Sequence, residues 1–493
     1  MKKYWYIISM ALVFGMTACS ESIVEEPANS GNTTNGKTEV LSYVSVYADE
    51  SATQPLIENA PLTAETSTLG FPLAYGLNEV YVNYPTKSGV KTKKMPVTTT
   101  TTRASDPGTY EYFQEGHRYV ELIITKPEDA IPAYVTEHKD ENGVPFTAYH
   151  SSGVVMFEDT WPSKSNTDGK AQEGGLFFGD YNDLVVDYDL ETNVKGSLDD
   201  IKNNIESVEM WRDLKVTLHF RAKGGAYAHT FGLKLENLLK EFVRDETPAM
   251  YWSMSNHESI TENDAKQPFP VEVKWDSDNH PVILVKELNK LRNKAFMSSY
   301  GLNVSTYGTG TDKLFYNTVN DADLNAGKGL FTLTVTFREN LEADHDKVVK
   351  HFRDAVADTR QQNFFIVTTQ AGKEYETHLA GYKPTGFYAA YYNADKNDSA
   401  AGVAVEKDAS TTYRAADGNV WGFKTPVLTR HATEQQSFAT AFPNYAQWIT
   451  TGNENYALWY LLDNANMAVD EDKDFTLPGG QTKKALKYII EEW

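Results

Sequence analysis

The sequence predicts an all-β protein: a small N-terminal β-domain over residues 40–149, then a larger antiparallel β-sandwich over 150–493 with a few short helices. Three observations carry this. Runs rich in Val, Ile, Thr and aromatics recur between Gly- and Asn-containing connections. Aromatic residues make up 12% of the chain, much of it Tyr, which suits pleated, half-buried surfaces. Segments with helical periodicity are few and short, and no internal repeat of fixed period is present.

Residues 1–18 read as a signal peptide. Lys2 and Lys3 precede an apolar run over 4–16, and Thr17, Ala18 and Cys19 form a small-residue cleavage site ending at the only cysteine of the chain. This is the bacterial lipoprotein pattern, with Met16 where such sites usually carry Leu. It makes Cys19 the lipid-bearing N-terminus and predicts attachment to the outer membrane with the body exposed at the surface. No later stretch reaches the roughly 18 consecutive apolar residues of a membrane span. Residues 19–39 form the tether. Ser20, Glu21, Glu25 and Glu26 resemble the acidic leader of surface-exported lipoproteins, and PANSGNTTNGKT (27–38) is small, polar and aperiodic. With Cys19 lipidated, no cysteine remains for a disulfide, so stability rests on burial and on metal.

The N-terminal domain is built from VLSYVSVYA (40–48), EVYVNYP (79–85) and RYVELIIT (118–125). Between them, the threonines of 98–102 end at Arg103 in an expected hairpin tip. In the second domain the expected strands cover 152–157, 183–190, 213–222, 229–238, 281–285, 329–337 and 363–369, with helices near 285–295, 345–357 and 437–449. In RAKGG (221–225) the paired glycines fit a turn; no helix start follows, which excludes a phosphate loop. Asn320, Asp321 and Asp323 read as a solvated acidic turn.

The densest chemistry lies in FEDTWPSKSNTDGKAQEGGLFFGDYNDLVVDYDL (157–190). From position 183 the even residues Leu184, Val186, Tyr188 and Leu190 are apolar while Asp183, Asp187 and Asp189 take odd positions, the period of a strand with one buried face. Val185 alone breaks it. With Asp180 and Asn182 in the preceding turn, and Glu158 and Asp159 on a neighbouring element, this is an oxygen-rich set of the kind calcium uses. The expected ligands are Asp180, Asn182, Asp183, Asp187, Glu158 and Asp159. The alternative is that these groups cap turns by accepting main-chain N–H bonds. Trp161 and Pro162 read as a core anchor beside this loop.

The motifs FEDTWPSK, DYNDLVVDY, FRAKGGAYAHTFGLKL and AFPNYAQW, in this order, resemble the LruC-type domain of bacterial surface lipoproteins over about 152–448. The resemblance implies a β-sandwich outside the cytoplasm. Relatives nearly join the first two motifs; here residues 166–175 are inserted, and Phe178 stands where relatives carry an Asp. Either Asp168 or Glu173 of the insertion supplies the missing oxygen, or the loop binds calcium weakly or not at all.

A formal charge of −22 and a pI near 5.0 argue against nucleic-acid binding. HExxH, GxSxG and Walker signatures are absent, His345 and His351 are not at zinc spacing, and Asp187 and Asp189 on one strand do not grip a sugar from two sides. The expectation is therefore a non-enzymatic, lipid-anchored surface protein for binding or adhesion, with a calcium-stabilised acidic loop and a glycan or protein as ligand. A subunit of a lipoprotein-derived pilus, processed at Arg103, is the alternative, and a polysaccharide-acting hydrolase a more distant one.

Overall fold

The structure is a computed structural model and describes residues 40–97, 116–133, 146–160, 179–194, 212–223, 229–244, 248–254, 260–288, 290, 294–301, 331–370, 372–390, 413, 420–427, 429–432, 438–451, 453–464, 469–476, 482–486 and 488–489. Its strands are β1 (Ser42–Tyr47), β2 (Pro55–Leu62), β3 (Thr66–Ala74), β4 (Glu79–Thr86), β5 (Gly89–Pro96), β6 (His117–Thr125), β7 (Thr147–Phe157), β8 (Leu184–Val194), β9 (Asp213–Lys223), β10 (His229–Leu235), β11 (Ala249–Met254), β12 (Ile260–Thr261), β13 (Val271–Trp275), β14 (Pro281–Val285), β15 (Phe331–Arg338), β16 (Gln362–Gln370), β17 (Lys373–His378), β18 (Ala389–Ala390), β19 (Gly422–Pro426), β20 (His431–Ala432), β21 (Val469–Thr476), β22 (Thr482–Leu486) and β23 (Tyr488–Ile489). The helices are α1 (Lys294–Ser299), α2 (His345–Ala357), α3 (Phe438–Ala441), α4 (Pro443–Thr451) and α5 (Trp459–Asn464).

The fold is all-β. An eleven-stranded sheet runs β12-β11-β15-β9-β8-β7-β2-β1-β4-β5 with β19 also on β7, and a six-stranded sheet runs β13-β14-β10-β16-β17-β18. The two form a sandwich: Val155, Phe157, Leu184, Val186, Tyr188 and Leu190 of the first pack against Phe231, Leu233, Ile283, Val285, Phe364 and Ile366 of the second. Val348, Phe352, Ala355 and Val356 of α2 join that core, and the helix starts where the Asp344 carboxylate accepts the Lys347 N–H at 3.3 Å.

The even positions of β8 face this core, as the period requires. Val185 points to a second core with Val154, Met156 and Ala222, roofed by Phe438, Tyr445, Trp448 and Trp459 of α3–α5 and by Phe442 between α3 and α4. The exception to the alternation is apolar because the sheet is covered on both faces there.

In the N-terminal part, Val44, Val46, Val80 and Val82 of the long sheet pack on Phe71, Leu73, Val120 and Leu122 of the β3–β6 ribbon. The long sheet continues from this part into the sandwich through the pairs Ile57↔Tyr149 and Glu58↔Ala148, so position 149/150 lies inside β7. Its far edge, β5, carries Lys91 and Lys93 opposite Tyr84 and Val82, on the side of the sheet that bears the core. Lys91 pairs with Asp129 and Lys94 with Glu79.

The helix expected over 345–357 is α2. The one expected over 285–295 starts later, at Lys294, because Val285 ends β14 and is buried in the sandwich. The segment 437–449 forms two helices, with Pro443 opening the second, where a missing N–H costs nothing. Cys19, Arg103, Trp161, Pro162, Asp168, Glu173, Phe178, Gly224, Gly225, Asn320, Asp321 and Asp323 lie outside the described residues.

Candidate metal centre

The β7 strand ends at Phe157, and the next residue, Glu158, is fixed by its own N–H, which donates to the Trp421 carbonyl at 2.9 Å. The turn 179–183 leads back into β8, directly beside β7, with Leu184 opposite Phe157. Two chain positions remote from each other in sequence are thereby forced together. Tyr181 takes φ 51° within this turn, a left-handed conformation that a tyrosine adopts only when its surroundings hold it. Here its ring is fully buried, edge-on to Phe423 at 4.8 Å, and its hydroxyl donates to the Val420 carbonyl at 2.6 Å.

This geometry gathers Glu158, Asp180 and Asp183, each offering a carboxylate oxygen within 4.8 Å of the others. Glu158 and Asp183 are buried and Asp180 is half-buried, so the cluster has one side towards solvent. Glu158 accepts the Tyr181 N–H, while its Oε2 is buried with no hydrogen-bond partner. The same oxygen lies where a Cβ on Gly179 would come to 2.1 Å, so glycine is what lets the carboxylate sit there. Burial, joined by the charges of Asp183 and Asp180, pushes the Glu158 carboxyl well above the carboxylate range. Burial, then the charge of Asp159, pushes Asp183 up to about 7.

The other expected ligands are engaged elsewhere. Asn182 donates its side-chain N–H to the Ala432 carbonyl at 3.0 Å. Asp159 gives its main-chain N–H to Asp183 Oδ2 at 2.8 Å, and its own Oδ2 meets His229 Nε2 at 2.8 Å. Burial, with Lys223 adding, pushes His229 well down, so the ring is neutral and Nε2 donates to Asp159. Asp187 stands apart from the cluster. Arg221 grips it with two bonds, Nε to Oδ2 at 2.9 Å and a second guanidinium nitrogen to Oδ1, and passes a third to the Thr429 carbonyl at 2.6 Å. Burial pushes Asp187 up to about 6, with Arg221 opposing. Arg221, His229 and Lys223 were not legible as partners, since each reaches the loop only through pairing of strands distant in sequence.

Four carboxylates, Glu158, Asp159, Asp180 and Asp183, therefore share one region, and the buried Lys223 is the ammonium whose charge reaches Asp183. A buried carboxylate without a counter-charge is expensive and is relieved by a proton or a cation. The donor set fits a hard divalent ion: oxygen only, three carboxylates, one of them with an unmatched buried oxygen. Glu158, Asp180 and Asp183 would hold it. A second acidic grouping, Asp276, Asp278 and His280, is already served: Asp276 accepts the N–H groups of Asp278 and His280, both at 2.9 Å, and the Lys234 ammonium at 2.9 Å.

No curated protein matches the chain. A solved structure from Bacteroides ovatus, named there a "Putative lipoprotein", superposes with a TM-score of 0.62 at 24% identity, covering 85% of this chain and 97% of that one, which shows a shared fold. A family model described as "Domain of unknown function (DUF4842)" matches residues 211–460, from the start of β9 into α5 and slightly more than half of the sequence. The chain thus belongs to the family of the domain of unknown function DUF4842.

Proposed function

We propose that this chain is an exported, lipid-anchored lipoprotein of the LruC type that acts by binding rather than by catalysis, with calcium fixing the loop at which its β-sandwich meets its helical roof. The observation that carries the calcium reading is the buried, unmatched Oε2 of Glu158 beside the carboxylates of Asp180 and Asp183. The cation's work is structural. The loop that would hold it also bonds to Val420 through Tyr181, to Ala432 through Asn182 and to the Phe438 N–H through the Gly179 carbonyl at 2.8 Å. An ion there pins the roof over β7 and β8.

The Cys19 signal, the acidic tether and the name of the Bacteroides ovatus relative support anchoring at the outer membrane and exposure at the surface, where a glycan or a protein is the partner. Calorimetric titration of the folded chain with calcium tests the reading: one site is expected, lost in Glu158→Gln. Absence of calcium uptake by the wild type, or uptake untouched by Glu158→Gln, would reject it. Metabolic labelling with a fatty acid, lost in Cys19→Ala, tests the anchor.

A further inference from the structure

Strands β2 and β7 pair through only two residues each, Ile57↔Tyr149 and Glu58↔Ala148. Continued in register, the ladder would set Pro55 opposite Ser151, where proline has no N–H to give. From Gly153 onward β7 instead takes β19, with Pro426 opposite Gly153. Over positions 150–152 that edge of β7 has no strand partner among the described residues, and a cavity of about 190 Å³ opens there. Leu56, Leu73 and Leu77 form one wall and Tyr460 and Leu461 of α5 the other.

Among the polar residues lining this space, the Ser151 hydroxyl accepts from Gln362 Nε2 at 3.3 Å, His117 has a partner of its own, and Gln54 stands at the rim beside Asp49. Tyr460 is only 4% exposed, yet among the described residues its hydroxyl takes no hydrogen bond. His150 is held by Nε2, 3.0 Å from Glu58 Oε2, while Glu58 Oε1 accepts the Tyr47 hydroxyl at 3.0 Å, which leaves the other ring nitrogen for a ligand. Ser152 adds a hydroxyl. No lysine or arginine lines the cavity, and its one carboxylate, Asp49, is already occupied by the N–H groups of Thr53 and Gln54 and by the Ser51 and Thr53 hydroxyls. An anion finds no lysine or arginine here, His150 already faces Glu58 and His117 is engaged with a partner of its own, and an amine finds no spare carboxylate. At interior packing density the volume holds on the order of a dozen non-hydrogen atoms. A few placed polar groups against an apolar wall are the usual make-up of a small-molecule site.

We infer that this cleft binds one uncharged sugar ring, with hydroxyls towards Tyr460, His150 and Ser152 and a C–H face on the leucine walls. The inference rests on the binding reading above but not on its calcium. The test is saturation-transfer NMR on the full chain, with calcium and with chelator, using methyl glycosides of neutral hexoses and N-acetylhexosamines and the methyl glycoside of N-acetylneuraminic acid as charged control. At least one neutral glycoside should bind, and the charged control should not. Tyr460→Phe, which keeps the ring and the packing, should weaken binding about three- to tenfold, the loss expected for one neutral hydrogen bond, with the melting temperature unchanged. No binding of any neutral glycoside, binding of the charged control alone, or wild-type affinity in both Tyr460→Phe and Ser152→Ala would overturn the assignment. Glycoside binding that persists when calcium uptake is absent would leave this site standing and remove only the calcium reading.

Discussion

If the cluster holds calcium as proposed, stripping it should change stability in a way that depends on pH, and the sign follows from Asp183. Its carboxyl is pushed from 3.8 up to about 7 in the fold. A carboxyl raised by folding favours the native state while it is protonated, and that contribution is lost as pH rises from about 4 through about 7. At about 1.4 kcal/mol for each tenfold, the loss from this one group is at most about 4 kcal/mol. In the proposed site calcium would take the place of the proton, so its stabilising increment should grow over the same window. At a hundredfold excess over Kd the gain is about 2.7 kcal/mol, or roughly 2–3 °C for a chain of this size. Differential scanning calorimetry at pH 5 and pH 7.5, each with calcium and with chelator, reads both effects. Asp183→Asn keeps an oxygen for the Asp159 N–H but no charge, so its chelated form at pH 7.5 should melt no lower than chelated wild type. An increment equal at the two pH values, or an Asp183→Asn protein that still gains from calcium, would refute the reasoning.

Arg221→Met should cost about 3–5 kcal/mol in chemical denaturation, because it strands the buried Asp187 carboxylate, while leaving the calcium increment intact. Gly179→Ala places a methyl group 2.1 Å from Glu158 Oε2 and should weaken calcium roughly tenfold or more by calorimetric titration, with the protein still folded.

How far the chain could be read in advance depends on whether the signal was local. PVILV became β14 with all five residues buried, and HDKVVKHFRDAVA became α2, because both carry their period within a few residues. By contrast, β5, GVKTKKMP, has almost no apolar residues and is a strand only because β4 offers it a ladder. At the site, DYND and the preceding Glu158 were legible as a cluster, since a β7–β8 hairpin brings them together. Asp187 was grouped with them by its parity along the strand, but parity says nothing about Arg221 on the neighbouring strand, whose guanidinium claims it. His229 at Asp159 and the helical roof over Val185 likewise depend on tertiary pairing that no nearby residue announces. The family match begins at residue 211 and so covers these partners but not the acidic loop itself.

The lysines of β5 bear on whether a second copy can add to the long sheet. Among the described residues the eleven-stranded sheet ends at β5 in a rim of main-chain groups without a strand partner, which invites a neighbour to add its own rim. With Lys91 and Lys93 set on the side of the core, such a neighbour would have to press their ammonium groups into a dry seam, so molecules standing close together are steered away from fusing into a ribbon.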